Sequence, residues 1–366
     1  PPGPAPVTPP ATPAPAVPAP NAPAPAAKAP IAAPGTPPLP RAAPGETIAI
    51  YRLEVPLYTA ALPAAALLAT SSLGSFHERQ GDQRLLLGER ALPASWGRWL
   101  GQSQRQAWAG AASPTFDGRL DGFQVGQDLF AHAGEGGLRQ YAGFFVSHAR
   151  LRGDVAGFAL AFDDTDSGDL RLDGDSLGAY WTLLGAPGWY LDAVLMGSSF
   201  DGRARSARGL ELPLQGHGYS LSLEAGYPLA LDWRWAIEPQ AQLIRQHLAL
   251  DDSRDAVSTV DFEAGERWMA RVGLRLRGDQ EMAGMPLQSY LGVHFLQAFG
   301  EADGVVFADR QRLRTEQRGA RVQVLAGLVL SPTPELGLYL TFGHADNLDS
   351  LDSRASQVSL GARLGW

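Results

Sequence analysis

The last ten residues, Gln357 to Trp366, alternate without interruption between two faces. Val358, Leu360, Ala362, Leu364 and Trp366 fall on one; Gln357, Ser359, Gly361, Arg363 and Gly365 fall on the other. Successive side chains of a strand leave on opposite sides, so the segment pairs a wholly apolar face with a small or charged one. A soluble sandwich can show the same alternation, but it rarely ends flush on a strand, and here the pattern recurs back to Ala94. A chain patterned this way points to an all-β fold, a transmembrane β-barrel.

Twelve antiparallel strands are predicted, at about 94–108, 118–130, 138–149, 174–184, 188–200, 216–228, 233–247, 265–277, 286–299, 319–331, 335–344 and 353–366. Each reaches the 9–11 residues that a tilted spanning strand needs. Strand eight sets Trp268, Ala270, Val272, Leu274 and Leu276 against Met269, Arg271, Gly273, Arg275 and Arg277. Strand ten sets Val322, Val324, Ala326, Leu328 and Leu330 against Arg321, Gln323 and Gly327, although Leu325 and Val329 share the second face. An arginine facing lipid at mid-bilayer costs about 2–4 kcal/mol, so Arg271, Arg275, Arg321 and Arg363 are expected to face the lumen. The links after strands four, six and ten are short, whereas those after three, five, seven and nine read as long and hydrophilic, as in Arg150 to Asp173 and Gly300 to Arg318. Such alternation suits a barrel with a periplasmic and an extracellular rim, both barrel ends lying in the periplasm. Trp96, Trp99, Trp189, Tyr190, Tyr219, Tyr227, Trp233, Trp235, Trp268 and Trp366 sit near strand ends, where interfacial aromatic girdles are expected.

The front of the chain differs. Residues 1–45 are mostly Pro and Ala, which cannot form a core and read as an extended spacer. Pro1 opens no signal peptide, so the sequence reads as a processed product or a piece of a longer chain. Cysteine is absent, which excludes disulfides and thiolate chemistry, and the net charge of −8 argues against a nucleic-acid partner. No stretch reaches the ~20 apolar residues of a spanning helix. Within residues 46–93, however, an Ala/Leu-rich helix is predicted over about 57–80, carrying Leu67, Leu68, Phe76, Glu78 and Arg79 and ending at Gly81. Counted from Leu62 to Arg79 it is about 27 Å long, the height of a barrel's apolar band, and a slim helix through the lumen is its simplest placement.

The chain resembles the C-terminal translocator domain of monomeric, pertactin-like (type Va) autotransporters of Gram-negative bacteria. The resemblance covers roughly residues 46–366. It rests on Tyr51-Arg52-Leu53-Glu54-Val55-Pro56, on Tyr58, Ala64, Ala65 and Phe76-His77-Glu78-Arg79, on Trp96-Gly97-Arg98, and on the aromatic-ended last strand. It implies a twelve-stranded outer-membrane barrel with a helix in the pore, and an upstream passenger in cis carried to the cell surface. It also implies that Val358, Leu360, Leu364 and Trp366 resemble the signal read by the barrel-assembly machinery, with periplasmic chaperones as further partners, and that the barrel is monomeric amid outer-membrane lipid and lipopolysaccharide. Two residues depart from the family pattern: the last is Trp where Phe is usual, and the pore segment lacks the Asn through which some relatives cut themselves. Asn21 and Asn347 are the only asparagines, and Asn21-Ala22 is a conceivable junction.

Gly174-Asp175-Ser176-Leu177 spells a lipase-family motif, but a nucleophile must follow a strand and open a helix, whereas this motif is expected to open strand four. Six acids between Asp163 and Asp175 lack calcium-loop spacing and read as a solvated loop, with a loose calcium site or a divalent bridge to lipopolysaccharide as the alternative. The seven histidines show no ligand spacing, and no metal or cofactor site is predicted. Glu224, Glu238 and Glu78 are the expected partners of the lumen arginines. The leading reading is a non-enzymatic secretion translocator. The alternatives are a porin-like channel with a helical plug and a surface esterase.

Overall fold

The computed structural model describes residues 48–81, 91–186 and 188–366. The Pro/Ala spacer lies outside the described residues. Among the described residues twelve long strands, each antiparallel to the next, form the barrel: β1 (Ala94–Ala107), β2 (Thr115–Ala133), β3 (Arg139–Ala159), β4 (Phe162–Leu184), β5 (Tyr190–Ser206), β6 (Glu211–Gly226), β7 (Trp235–Leu250), β8 (Arg267–Met282), β9 (Met285–Gly300), β10 (Gly319–Leu330), β11 (Leu336–Asn347) and β12 (Arg354–Gly365). β12 pairs back onto β1, with Leu360 opposite Trp99 and Gly365 opposite Ala94, so the sheet closes and presents no edge. Both ends of the barrel therefore meet at one rim, the near rim.

The largest departure from the sequence reading is the stretch after strand three. Residues 150–173 are no loop: β3 and β4 run on to 21 and 23 residues and meet in a two-residue turn, Leu160-Ala161. Both turn residues have positive φ, 54° and 69°, as the type of tight hairpin turn that matches strand twist requires. The acids between Asp163 and Asp175 thus lie on β4, and Gly174 to Leu177 lie in its middle rather than at its start. Likewise Gly300 to Arg318 holds a hairpin, Asp303–Phe307 and Gln311–Thr315, which joins Ser253–Arg254 and Thr259–Glu263 in a four-stranded sheet at the far rim.

These extensions were hidden because the apolar face changes sides along each strand. Low on β4, Leu177 and Trp181 point out while Ser176, Tyr180 and Thr182 point in; higher up, Leu170 and Leu172 point in while Asp169 and Asp173 point out. β6 does the same, with Leu221 and Leu223 outside near Ser220, Ser222 and Glu224, then Leu212 and Leu214 inside beside Glu211 and Gln215. The lower wall is built for lipid outside and polar groups inside. The upper wall is built for water outside and a hydrophobic core inside.

That core is completed by the segment threaded through the barrel, which forms α1 (Val55–Thr59), α2 (Ala61–Leu73) and α3 (Phe76–Gln80). Leu57, Tyr58, Leu62 and Leu68 pack in one cluster with Leu151, Leu172, Phe200, Leu214 and Leu248. The predicted continuous helix is broken at Gly74, which caps α2 with a φ of +62° and where a Cβ would lie 2.6 Å from the Arg98 guanidinium. Ser75 restarts the helix with a capping box to Glu78. Trp96 and Tyr190, expected in the girdle, point inward instead, whereas Trp99, Tyr227, Trp233 and Trp366 are exposed.

Candidate functional site: the filled pore

At the far rim a collar grips the chain as it enters the lumen. The Tyr51 carbonyl accepts the Leu160 N–H at 2.8 Å, and its ring meets Phe158 edge-on. Glu54, fully buried, accepts both Nε and Nη2 of Arg208 from the β5–β6 turn, at 2.9 and 2.8 Å, the forked geometry that makes such pairs strong. Arg52 and Tyr58 donate to Asp255 at 2.6 and 2.9 Å, and the backbone N–H groups of Val257 and Ser258 donate to its other oxygen. Burial pushes the Asp255 carboxyl up, but these donors outweigh it and hold the carboxyl below its ordinary value.

Along the middle, the small and apolar side of α2 lies against β3 to β7. Leu68 fits over Gly174, where a Cβ would lie 2.9 Å from it. Leu67 faces the opposite way, into a gap of about 120 Å³ that Thr70, Arg98, Arg271, Arg321 and Gln357 also line. Thr70 and Ser71 reach the wall at Gln246 and Gln102, 3.3 and 3.2 Å away. The plug is therefore seated on one wall and separated from the other by polar groups.

Toward the near rim, α3 is fastened by polar contacts with several strands. The Phe76 N–H donates to Glu224 at 3.0 Å and its ring stacks on Tyr190 at 4.7 Å. His77 Nε2 lies 2.9 Å from Glu238, Gln357 donates to Glu78 at 2.8 Å, and Arg79 donates to Asp192 at 2.5 Å with both side chains buried. Arg363 bridges Gln80, at 2.8 Å, and Asp128, at 2.7 Å, while Tyr339 donates to the Arg79 carbonyl. The groups of α3 thus meet partners on five strands, β5, β6, β7, β11 and β12, which fixes both the rotation and the height of α3.

All four arginines expected in the lumen face it. Arg271 lies 3.1 Å from Glu224, Arg275 donates to Gln288 and sits 4.2 Å over the Tyr290 ring, and Arg321 donates to Gln106 at 3.1 Å. The sequence reading missed Asp128 and Asp192, which hold Arg363 and Arg79; Asp192 stands between inward Tyr190 and Val194, and Asp128 follows inward Gln124 and Gly126. Outside, Leu360, Leu364 and Trp366 are exposed on the band, Val358 shares their face, and the Trp366 N–H donates to the Pro93 carbonyl. Ser176 points into the lumen, 2.8 Å from the Ser198 hydroxyl, whereas Asp175 points outward to His148, so the barrel wall separates the elements of a triad.

The family model of the autotransporter β-domain matches residues 95–343. The pertactin autotransporter of Bordetella parapertussis is 30% identical over 293 residues, which are 78% of this chain and 30% of that protein. The adhesin BmaC autotransporter of Brucella suis is 26% identical over 252 residues, 63% of this chain and 7% of that protein. The chain thus spans less than a third of the curated relatives it matches. Among solved structures, the transport unit of the autotransporter AIDA-I from Escherichia coli superposes with a TM-score of 0.72 at 16% identity, over 86% of this chain and all of that one. The β-domain of the Bordetella autotransporter BrkA does so with 0.59 at 21%, over 75% and all. A closed twelve-stranded barrel with a helix in its lumen and a matching family model across most of that barrel lead to one assignment: the chain belongs to the autotransporter β-domain family and forms a translocator barrel of the bacterial outer membrane.

Proposed function

We propose that this barrel carries an N-terminal passenger to the cell surface and then holds it there, with no catalytic activity of its own. The observation that carries this reading is the direction of the threaded segment. Residue 50 stands at the far, extracellular rim, α3 stands near the periplasmic rim, and β1 starts from that same periplasmic rim. Whatever precedes the collar is thereby delivered outside, on a chain that closes the lumen behind it. Ser176, bonded to Ser198 and walled off from His148, supports the non-enzymatic part of the reading.

The outward face of Val358, Leu360, Leu364 and Trp366 serves as the signal for the barrel-assembly machinery and its periplasmic chaperones. One barrel suffices, since it has no free edge and its lumen is filled by its own chain. The −8 net charge argues against a nucleic-acid partner. Fusing an epitope upstream of residue 48 and treating intact cells with an antibody and with protease tests this. Surface labelling that disappears after shaving is expected; an epitope reachable only after the cells are broken would refute it.

A further inference from the structure

The lipid-facing wall carries one charged side chain inside an apolar row. Outward residues lying opposite one another from β4 to β9 are Ala179, Leu195, Leu221, Arg245, Trp268 and Phe299. Arg245 lies 2.7 Å from Glu266, and its guanidinium sits 5.5 Å over the Trp268 ring. Directly beneath this row, away from the extracellular rim, the wall is hollow. Ala179 and Ala193 are too small to fill the space between Trp181, Leu195, Leu223 and Leu243, leaving a groove of about 600 Å³ whose upper margin is Arg245 and Trp268.

We propose that this groove binds an outer-leaflet lipid, its acyl chain lying along Ala179, Ala193 and Leu223 and its phosphate against Arg245. Lipid identity follows from continuity: the groove is part of the wall that faces hydrocarbon, so an apolar chain already covers it. The phosphate follows from charge. Arginine on a lipid face is tolerated only toward the interface, and there a guanidinium over an indole offers N–H donors to a tetrahedral anion at the head of that chain. Glu266, 55% exposed, is the competing group and can turn to water.

The test uses the folded barrel purified in detergent and titrated with diphosphorylated lipid A, its dephosphorylated form and inorganic phosphate, with bound lipid counted by native mass spectrometry. Lipid A is expected to bind about tenfold more tightly than its dephosphorylated form, and inorganic phosphate not at all. Arg245→Gln should weaken lipid A about tenfold, Ala193→Leu should do so by filling the groove, and Glu266→Gln should strengthen it severalfold. Because the last effect has the opposite sign, a general loss of stability cannot imitate the set. Lipid A binding unmoved by all three substitutions, or free phosphate competing for the site, would overturn the proposal.

Discussion

Replacing Arg79 by leucine should unlatch the lower end of the plug. Arg79 and Asp192 are each about 1% exposed, so the substitution leaves a carboxylate with no cation in a dry site, where Thr182 is its remaining side-chain donor. Removing one partner of a buried pair costs about 3–5 kcal/mol. That shifts the equilibrium between seated and unseated α3 by on the order of 10²–10⁴. The other α3 contacts survive, so the helix should unseat transiently rather than leave. Single barrels in planar bilayers should then open in frequent large steps where the parent protein is nearly closed. Replacing both partners with leucine removes the stranded charge and should restore most of the closure. If Arg79→Leu stayed as closed as the parent, or the double variant opened as often as the single one, the reasoning that this ion pair holds the plug would be wrong.

Deleting Gly365 and Trp366 removes the exposed end of the last strand and its bond to Pro93, and the protein should fail to reach the outer membrane, whereas Trp366→Phe should insert normally; fractionation of cell envelopes decides it. In this cysteine-free chain, cysteines at Val272 and Leu274 should take up a lipid-soluble label, while those at Arg271 and Arg275 should react only with small water-soluble reagents, and faster once residues 57–80 are deleted; the reverse pattern would invert the wall. The collar should loosen in acid. Because Asp255 titrates below its unfolded value, its contribution is complete above the ordinary carboxylate range and fades as pH falls through about 4 and lower; protease cleavage near Tyr51 should rise over that window, and Asp255→Asn should start from faster cleavage and rise less.

The lower half of the barrel was legible because lipid is an unforgiving solvent. Val272 and Leu274 against Arg271 and Arg275 admit only one register, since a slip by one puts two arginines in hydrocarbon. The same rule misled above the membrane. Leu172 and Leu177 stand on opposite faces of one strand, five residues apart, so a search for a constant apolar parity ends at the waterline and labels the remainder a loop. The break at Gly74 was passed over although its local signals are in the sequence, a glycine that takes positive φ followed by the Ser75-x-x-Glu78 capping box. Asp192 and Asp128 were passed over because a lone acid declares its role only when the cation opposite it is known.

The change of sides along β3 to β6 gives the extracellular part of the wall a dependence on its contents. Leu151, Leu170, Leu172, Leu212 and Leu214 stay out of water only while α1 and α2 occupy the space between them. A chain still in transit, without that Ala/Leu segment in place, would leave these side chains wet, at a cost of roughly 25 cal/mol for each Å² of apolar surface exposed. If a passenger crosses this lumen as proposed, the upper cylinder would be softer while it moves and would stiffen once the Ala/Leu segment lodges. The tether would then act as its own end-of-travel stop, set by where alanine and leucine begin in the sequence.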